Sequence, residues 1–492
     1  MDQQGEAQGS PGRQRFSGLA RHLETVAVLL FYVCVTIVRH VRGHFDPAAL
    51  VLLSVILPVY LLVLLGPRRG AAATPLHLGV CGVLVTLTLA DLFVRDPVRY
   101  AVNQSRTIAL LAAALAGCLC VAAWWAKREV LRRVFVLLAV AAFTTFLSAE
   151  LLRSPHPLID VHPICTEATS ALLDGKNPYS LVYTDVYAPA GWEGYGYQMR
   201  FIYLPGMLLE YALPSALGVD FRWANLAGMA GGFLLFAWLI ANRGGATRLD
   251  RQVVTAGAMS LIFWLHGGQA FSLEQGWAEP ILLLCVCVAL WWWHRSAWIA
   301  GIALVLALSA KQTAWFCMPF LSVLAARERR WRMPAAVAVG VGAIVLPFFL
   351  WSPGAFIDNV VLDLLAKAPR ADSLSWAAVC IRVAPELFGL VAAVGPILYA
   401  VALVCLWRRL RKADRAERTL ETAKWMAFGL AGLFLFLKQS FFNYYYLVWG
   451  LLAFHALLSA RCEAAAPPLV GPPFAGPHAR QNPATHSSAR CC

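Results

Sequence analysis

Apolar runs recur along most of the chain, separated by short polar breaks. They lie near residues 23–38, 49–65, 76–94, 107–126, 131–150, 222–241, 253–265, 277–294, 297–310, 313–326, 333–351, 387–407, 423–437 and 441–459. A helix needs about 20 apolar residues to cross a hydrocarbon core, and a backbone surrounded by lipid satisfies its hydrogen bonds within helices. Several runs are short for a full crossing, so the pattern predicts an all-α polytopic membrane protein with about 12–14 transmembrane helices. Two long polar interruptions, 151–202 and 352–386, read as large loops. The segment 203–217, with Pro205 and Pro214 near its ends, reads as a non-crossing or re-entrant hairpin.

Composition agrees with that pattern. Of the 492 residues, 60% are hydrophobic and 14% charged, well below the charge of a soluble domain of this length. The formal net charge of +14 sits in short basic clusters between apolar runs, which points to topology signals and anionic headgroups and away from nucleic acid. Most of the 13 cysteines, such as Cys118, Cys120, Cys285 and Cys287, lie inside apolar runs as small hydrophobes. No Cys or Cys/His spacing suggests a metal site. Residues 1–21 and 461–492 are polar or rich in Ala and Pro and are expected to be disordered tails. Between them the sequence divides into N-terminal transmembrane helices over 22–130 and a membrane core over 131–460.

With a cytoplasmic N-terminus and 203–217 not crossing, most basic clusters fall on the cytoplasmic side. These are Arg68-Arg69, Lys127-Arg128 with Arg132-Arg133, Arg243/Arg248/Arg251, Arg327/Arg329/Arg330/Arg332 and Arg408 to Lys412. Arg95, Arg99 and Arg106 dissent. The same orientation places loops 151–202 and 352–386 outside, together with Gln269, Glu274, Lys311 and the stretch from Lys438 to Tyr445. Polar groups at membrane depth are costly and usually line a cavity or serve a function. Their shared side argues for a site at the extracytoplasmic membrane interface.

The residue types there suggest a chemistry. A carboxylate such as Asp160 can take a proton from an attacking hydroxyl. A cation near the lipid boundary can neutralise a phosphate leaving group carried on a lipid. Tyr179, Tyr183, Tyr187, Trp192, Tyr195 and Tyr197 offer flat faces and hydroxyls for sugar rings. Together they suggest glycosyl transfer from a lipid-phosphate sugar dissolved in the bilayer.

Asp160, followed by Leu172-Leu173-Asp174-Gly175-Lys176-Asn177-Pro178-Tyr179 and then Tyr203-Leu204-Pro205, resembles glycosyltransferase family 87, integral-membrane mannosyltransferase-like enzymes of the GT-C superfamily. The resemblance extends to Gly268-Gln269, Lys311 and Tyr444-Tyr445. It spans roughly Glu150 to Leu458 and leaves the first four spans as an addition. The chain departs from the family pattern at Val161, His162 and Pro163, where aromatics are frequent, and at Gln312, where proline is usual.

The resemblance implies a GT-C-like helical bundle. It also implies inverting transfer of a sugar, commonly mannose, from a polyprenyl-phosphate donor to a glycan or glycolipid hydroxyl outside the cytoplasm. Asp160 is then the expected general base, Lys311 and His162 the donor-phosphate ligands, and Tyr179, Tyr203, Gln269, Glu274 and Tyr444 the substrate contacts. No cofactor is called for, a divalent cation being left open, and no G-x-G-x-x-G strand–helix unit is present. Plainer roles stand beside these. Asp160 suits the N-cap of a helix starting near His162, Lys311 suits snorkelling, and Tyr444 suits an interfacial aromatic belt. A transporter or flippase of a lipid-linked sugar is the alternative, although the chain lacks the repeated halves usual in that class.

Overall fold

The computed structural model describes residues 22–66, 72–102, 105–187, 198–242 and 250–464. Both tails lie outside the described residues, apart from 461–464, which continue the last helix. So do Arg68, Arg69, Arg243, Arg248, Trp192, Tyr195 and Tyr197. Each apolar run read from the sequence is helical, most with ends that agree within a few residues, although the run at 313–326 opens as a 3-10 turn and the helix holding 423–437 starts earlier.

The first five helices are α1 (Leu23–His40), α2 (Pro47–Leu65), α3 (Pro75–Val94), α4 (Thr107–Trp125) and α5 (Glu129–Arg153). Asp46 and Thr74 cap α2 and α3 by accepting from Ala49 N and His77 N, each just ahead of a proline at the first helical position. The first polar interruption holds α6 (Val161–Leu173), and α7 (Pro205–Ala216) follows it. The 12 residues of α7 rise only about 18 Å, short of a bilayer core. Next come α8 (Arg222–Ala241), α9 (Arg251–Leu265), α10 (Gly268–Glu274), α11 (Glu279–Trp292), α12 (Ala297–Ala310), α13 (Met318–Arg327) and α14 (Arg332–Trp351). The second interruption holds the short α15 (Pro353–Ile357), α16 (Asp363–Ala366) and α17 (Trp376–Val383). The chain closes with α18 (Phe388–Leu410), α19 (Arg415–Phe436) and α20 (Phe442–Ala464). α19 begins well before its apolar run because Asp414 and Glu417 form a reciprocal capping box at its start.

Eight of these helices, α1 to α5, α8, α14 and α18 with its preceding turn, are long and apolar enough to span a membrane. The chain is a multi-pass membrane protein. Its centre is α9, whose every residue is buried and which packs against α20, α3, α1 and α8. A helix hydrophobic all round belongs in such a position.

The breaks between helices gather at two ends. At one end His44 pairs with Ser373, Leu374 N donates to the Gly43 and Ser440 carbonyls, and Leu204 N donates to Ala310 O. At the other end Ala72 pairs with Asp250, and Arg132 donates to Ala241 O.

Candidate functional site

The first of these ends encloses a cavity of about 380 Å³. Its wall draws on the loop after α1, the loop after α3, the segment before α6, Ile202 and Tyr203, the α10 region, Lys311 to Thr313, the α16 region and the α19–α20 connection. Its apolar lining includes Leu158, Ile159, Phe316, Leu364, Leu365 and Leu437. Among the described residues Asp160 is the one carboxylate on the wall, and the cations are Arg42, Arg99, Lys311, Lys367, Arg370 and Lys438.

Asp160 stands at the start of α6, where its side chain accepts from Val161 N at 2.9 Å. A strong N-cap sits in extended backbone and accepts from the second or third helical N–H, whereas Asp160 has helical dihedrals. Tyr187 is also a partner, its hydroxyl lying 3.4 Å from Oδ1 and 3.1 Å from the Asp160 N–H. Beyond Asp160, α6 ends in the Asp174-Gly175-Lys176-Asn177 turn. Gly175 adopts φ +71°, and Lys176 N donates back to Ala171 O. Asn177 then caps the turn at Tyr179 N.

Lys311 follows α12 in extended backbone and is buried, with Nζ 2.8 Å from Glu279 Oε1. Asn443 donates to the same oxygen at 2.9 Å. Glu279 is fully buried in the first turn of α11, where the helix dipole favours a carboxylate. Tyr203 lies with its ring 5.2 Å from Lys311 Nζ, and Tyr444 completes this part of the wall. Gln312 fixes the segment by donating to Ile202 O at 2.7 Å.

The other sequence candidates are placed elsewhere. Tyr179 is buried, its hydroxyl donating to Tyr203 O at 2.9 Å and its ring packed on Phe356 and Phe201. It pins the Pro-Tyr turn to the start of α7 and does not line the cavity. Gln269 is fully buried between Phe263 O and the Tyr446 hydroxyl. The Glu274 carboxylate accepts from Arg99 N, Tyr100 N, Ser154 Oγ and Gln275 Nε2, tying the loop after α3 to α10 and to the chain ahead of Asp160. His162 turns to Asp220, 3.5 Å away, and to the Phe221 ring. Burial favours the neutral Asp220 acid, but His162 and Arg222 outweigh it and hold this carboxylate well below its ordinary range. Arg222 also reaches the Ser154, Pro155 and Glu274 carbonyls, so it anchors the segment that delivers Asp160.

Residues 201–437 match the family model of glycosyltransferase family 87. Over that stretch the chain belongs to glycosyltransferase family 87. No curated protein and no solved structure matches the chain. The matched stretch contains Tyr203, Gln269, Glu274 and Lys311, whereas Asp160, His162 and Tyr179 precede it and Tyr444 follows it.

On the wall of this membrane glycosyltransferase Arg42, Lys367 and Arg370 escaped sequence reading, whereas Lys438 stood in a stretch read as facing the same side as Lys311. Arg370 is paired with Asp372 and lies over Phe441. Lys438 donates to the Leu364, Leu365 and Lys367 carbonyls, and burial and Lys367 lower its pKa although Asp363 opposes them. His44 is likewise held below its ordinary value, by burial and by Arg99 and Arg370, against the pull of Asp372. Arg99, one of the arginines that dissent from the basic-cluster pattern, is on the cavity wall, while Arg106 faces Glu150 and Arg95 faces Asp91. Among the described residues no group of three or more His, Cys, Asp or Glu side chains is placed to hold a metal ion.

Proposed function

We propose that this cavity binds a polyprenyl-phosphate-linked sugar, with mannose the family's usual choice. The sugar passes to a hydroxyl of a glycan or glycolipid on the extracytoplasmic face of the cell membrane. The observation that carries this reading is the make-up of the wall among the described residues: one carboxylate, six cations and several apolar side chains in a single cavity. An isoprenoid phosphate has the matching halves, a hydrocarbon tail and an anionic head.

In the proposed step the acceptor oxygen attacks the anomeric carbon while Asp160 takes its proton. The bond from that carbon to the phosphate oxygen breaks on the opposite side, giving inversion, and the bonding pair leaves on the polyprenyl phosphate. The cations stabilise that developing charge. Lys311 contributes ammonium hydrogens beyond the one held by Glu279, since a lysine carries three donors. Tyr203 and Tyr444 flank the sugar. An adjoining polar cleft shares Lys367, Arg370 and Gln439 with the cavity and offers an aqueous approach for the acceptor.

Membranes containing the full chain, given a panel of labelled polyprenyl-phosphate sugars, test the reaction. Chain-dependent release of polyprenyl phosphate with label in a glycan is the expected result. Transfer of the intact lipid-linked sugar across the bilayer without cleavage would instead establish a transporter.

A further inference from the structure

The cavity is not built by the family-matched stretch alone. The loop joining α1 to α2 precedes residue 201 by far, yet Arg42 and His44 stand on the wall. Its backbone is unusual. Arg42 has φ +52° and Gly43 φ +71°, and a non-glycine residue in this left-handed region costs stability unless its surroundings impose it. Here they do. Gly43 N donates to Val38 O, Gly43 O accepts from Leu374 N, and Phe45 N donates to Asp372 O at 2.8 Å. A Cβ on Gly43 would lie 1.9 Å from Phe442 N, so the loop is seated directly on the start of α20. The result is a half-buried guanidinium presented to the cavity. Among the described residues no carboxylate lies within ion-pair distance of it, and it sits 5.6 Å over the Phe271 ring. By contrast Lys311, Lys367 and Arg370 each already face a carboxylate.

We infer that Arg42 is a phosphate ligand, and that α1 and α2 serve this enzyme by supplying it. A planar guanidinium fork matches the free oxygens of a phosphate ester, both in the sugar-linked donor and in the polyprenyl phosphate that leaves, and the strained, tightly keyed backbone fixes where that fork points. The assignment rests on the reading of the cavity as the donor site, and it adds a ligand from outside the matched stretch.

The test uses the full chain in detergent and measures binding of farnesyl phosphate, farnesol and inorganic phosphate by thermophoresis, together with melting temperature. Wild type is expected to bind farnesyl phosphate saturably. Arg42→Gln should weaken that binding at least about tenfold, the size of one charge-assisted contact, while leaving farnesol unaffected. Arg42→Gly should lose the same affinity yet melt at or above the wild-type temperature, because glycine tolerates this backbone at no steric cost. If both folded variants bind farnesyl phosphate within about twofold of wild type, below any ionic contact, Arg42 is not the ligand and the donor reading stands. If wild type ignores farnesyl phosphate but binds inorganic phosphate through Arg42, the lipid-donor reading falls and the Arg42 site survives. Binding of neither overturns both.

Discussion

Arginine and lysine crowd both ends of this bundle, and they do different work at each. At the end away from the cavity they complete helices. Arg132 donates to Ala241 O at the end of α8, Arg327 to Leu410 O at the end of α18, and Arg330 to Trp293 O just past α11. The last carbonyls of a helix have no partner of their own and carry partial negative charge, so a guanidinium there satisfies hydrogen bonds and the dipole together. At the cavity end the cations surround a void that holds, among the described residues, one carboxylate. Lys438 does both, resting on three carbonyls while forming part of the wall. A basic residue is therefore informative about function only once it is known whether backbone has already claimed it.

The sharpest way to break this comparison is to ask which end faces which compartment. On a cysteine-free background, Lys176→Cys in the exposed turn after α6 should label with an impermeant maleimide in intact cells. Lys412→Cys, at the other end, should label only after permeabilisation. The reverse pattern would put the cavity inside and end the extracytoplasmic proposal.

Next in size is Asp160→Asn, which keeps the shape and the contact with Val161 N but removes the charge. General-base catalysis is typically worth roughly 10²–10⁴-fold, so turnover should fall by about that factor while the melting temperature stays near wild type. Near-normal turnover would reduce Asp160 to its contacts with Val161 and Tyr187.

Lys311→Met probes a cation at the cavity end that is half claimed already. It strands Glu279, fully buried, and breaking a buried pair by removing one partner costs roughly 3–5 kcal/mol. A clear drop in thermal stability is expected. Lys311→Met combined with Glu279→Gln should recover much of that stability while donor affinity remains poor. Recovery of both would make Lys311 a structural lysine.

The smallest effect belongs to the far end. Arg327→Gln removes a guanidinium from the Leu410 and Arg411 carbonyls, which is worth about 0.5–1.5 kcal/mol, and should leave turnover unchanged. A loss of activity there would show that the two ends are not separable.

The spans were legible in sequence because each is set locally. A lipid-facing or core helix must be apolar over its own length and satisfy its own backbone, so hydropathy and caps such as Asp46 and the Asp414–Glu417 box mark it without knowledge of its neighbours. Asp160, Lys311 and Tyr444 stand out in the sequence as polar or aromatic groups beside span ends and Tyr203 through its Tyr-Leu-Pro motif, and the fold brings all four to one cavity. The same rule misplaced Glu274 and Gln269. Both are polar at depth, but their hydrogen bonds are filled by backbone and by Ser154 or Tyr446. Tyr179 was selected by its motif, and the motif proves to be a clasp that closes α6 onto Tyr203.

What the chain alone determined was therefore a helical membrane protein, the approximate bounds of its spans and which polar groups stood near their ends. What only the tertiary structure decided was which of those groups meet a cavity and which meet backbone. Arg42, Asp160, Lys311 and Lys438 lie far apart along the chain and become neighbours only when α1, α6, α12 and α20 pack. Whether a buried charge is satisfied or left facing space is a property of that packing, and no span carries it by itself.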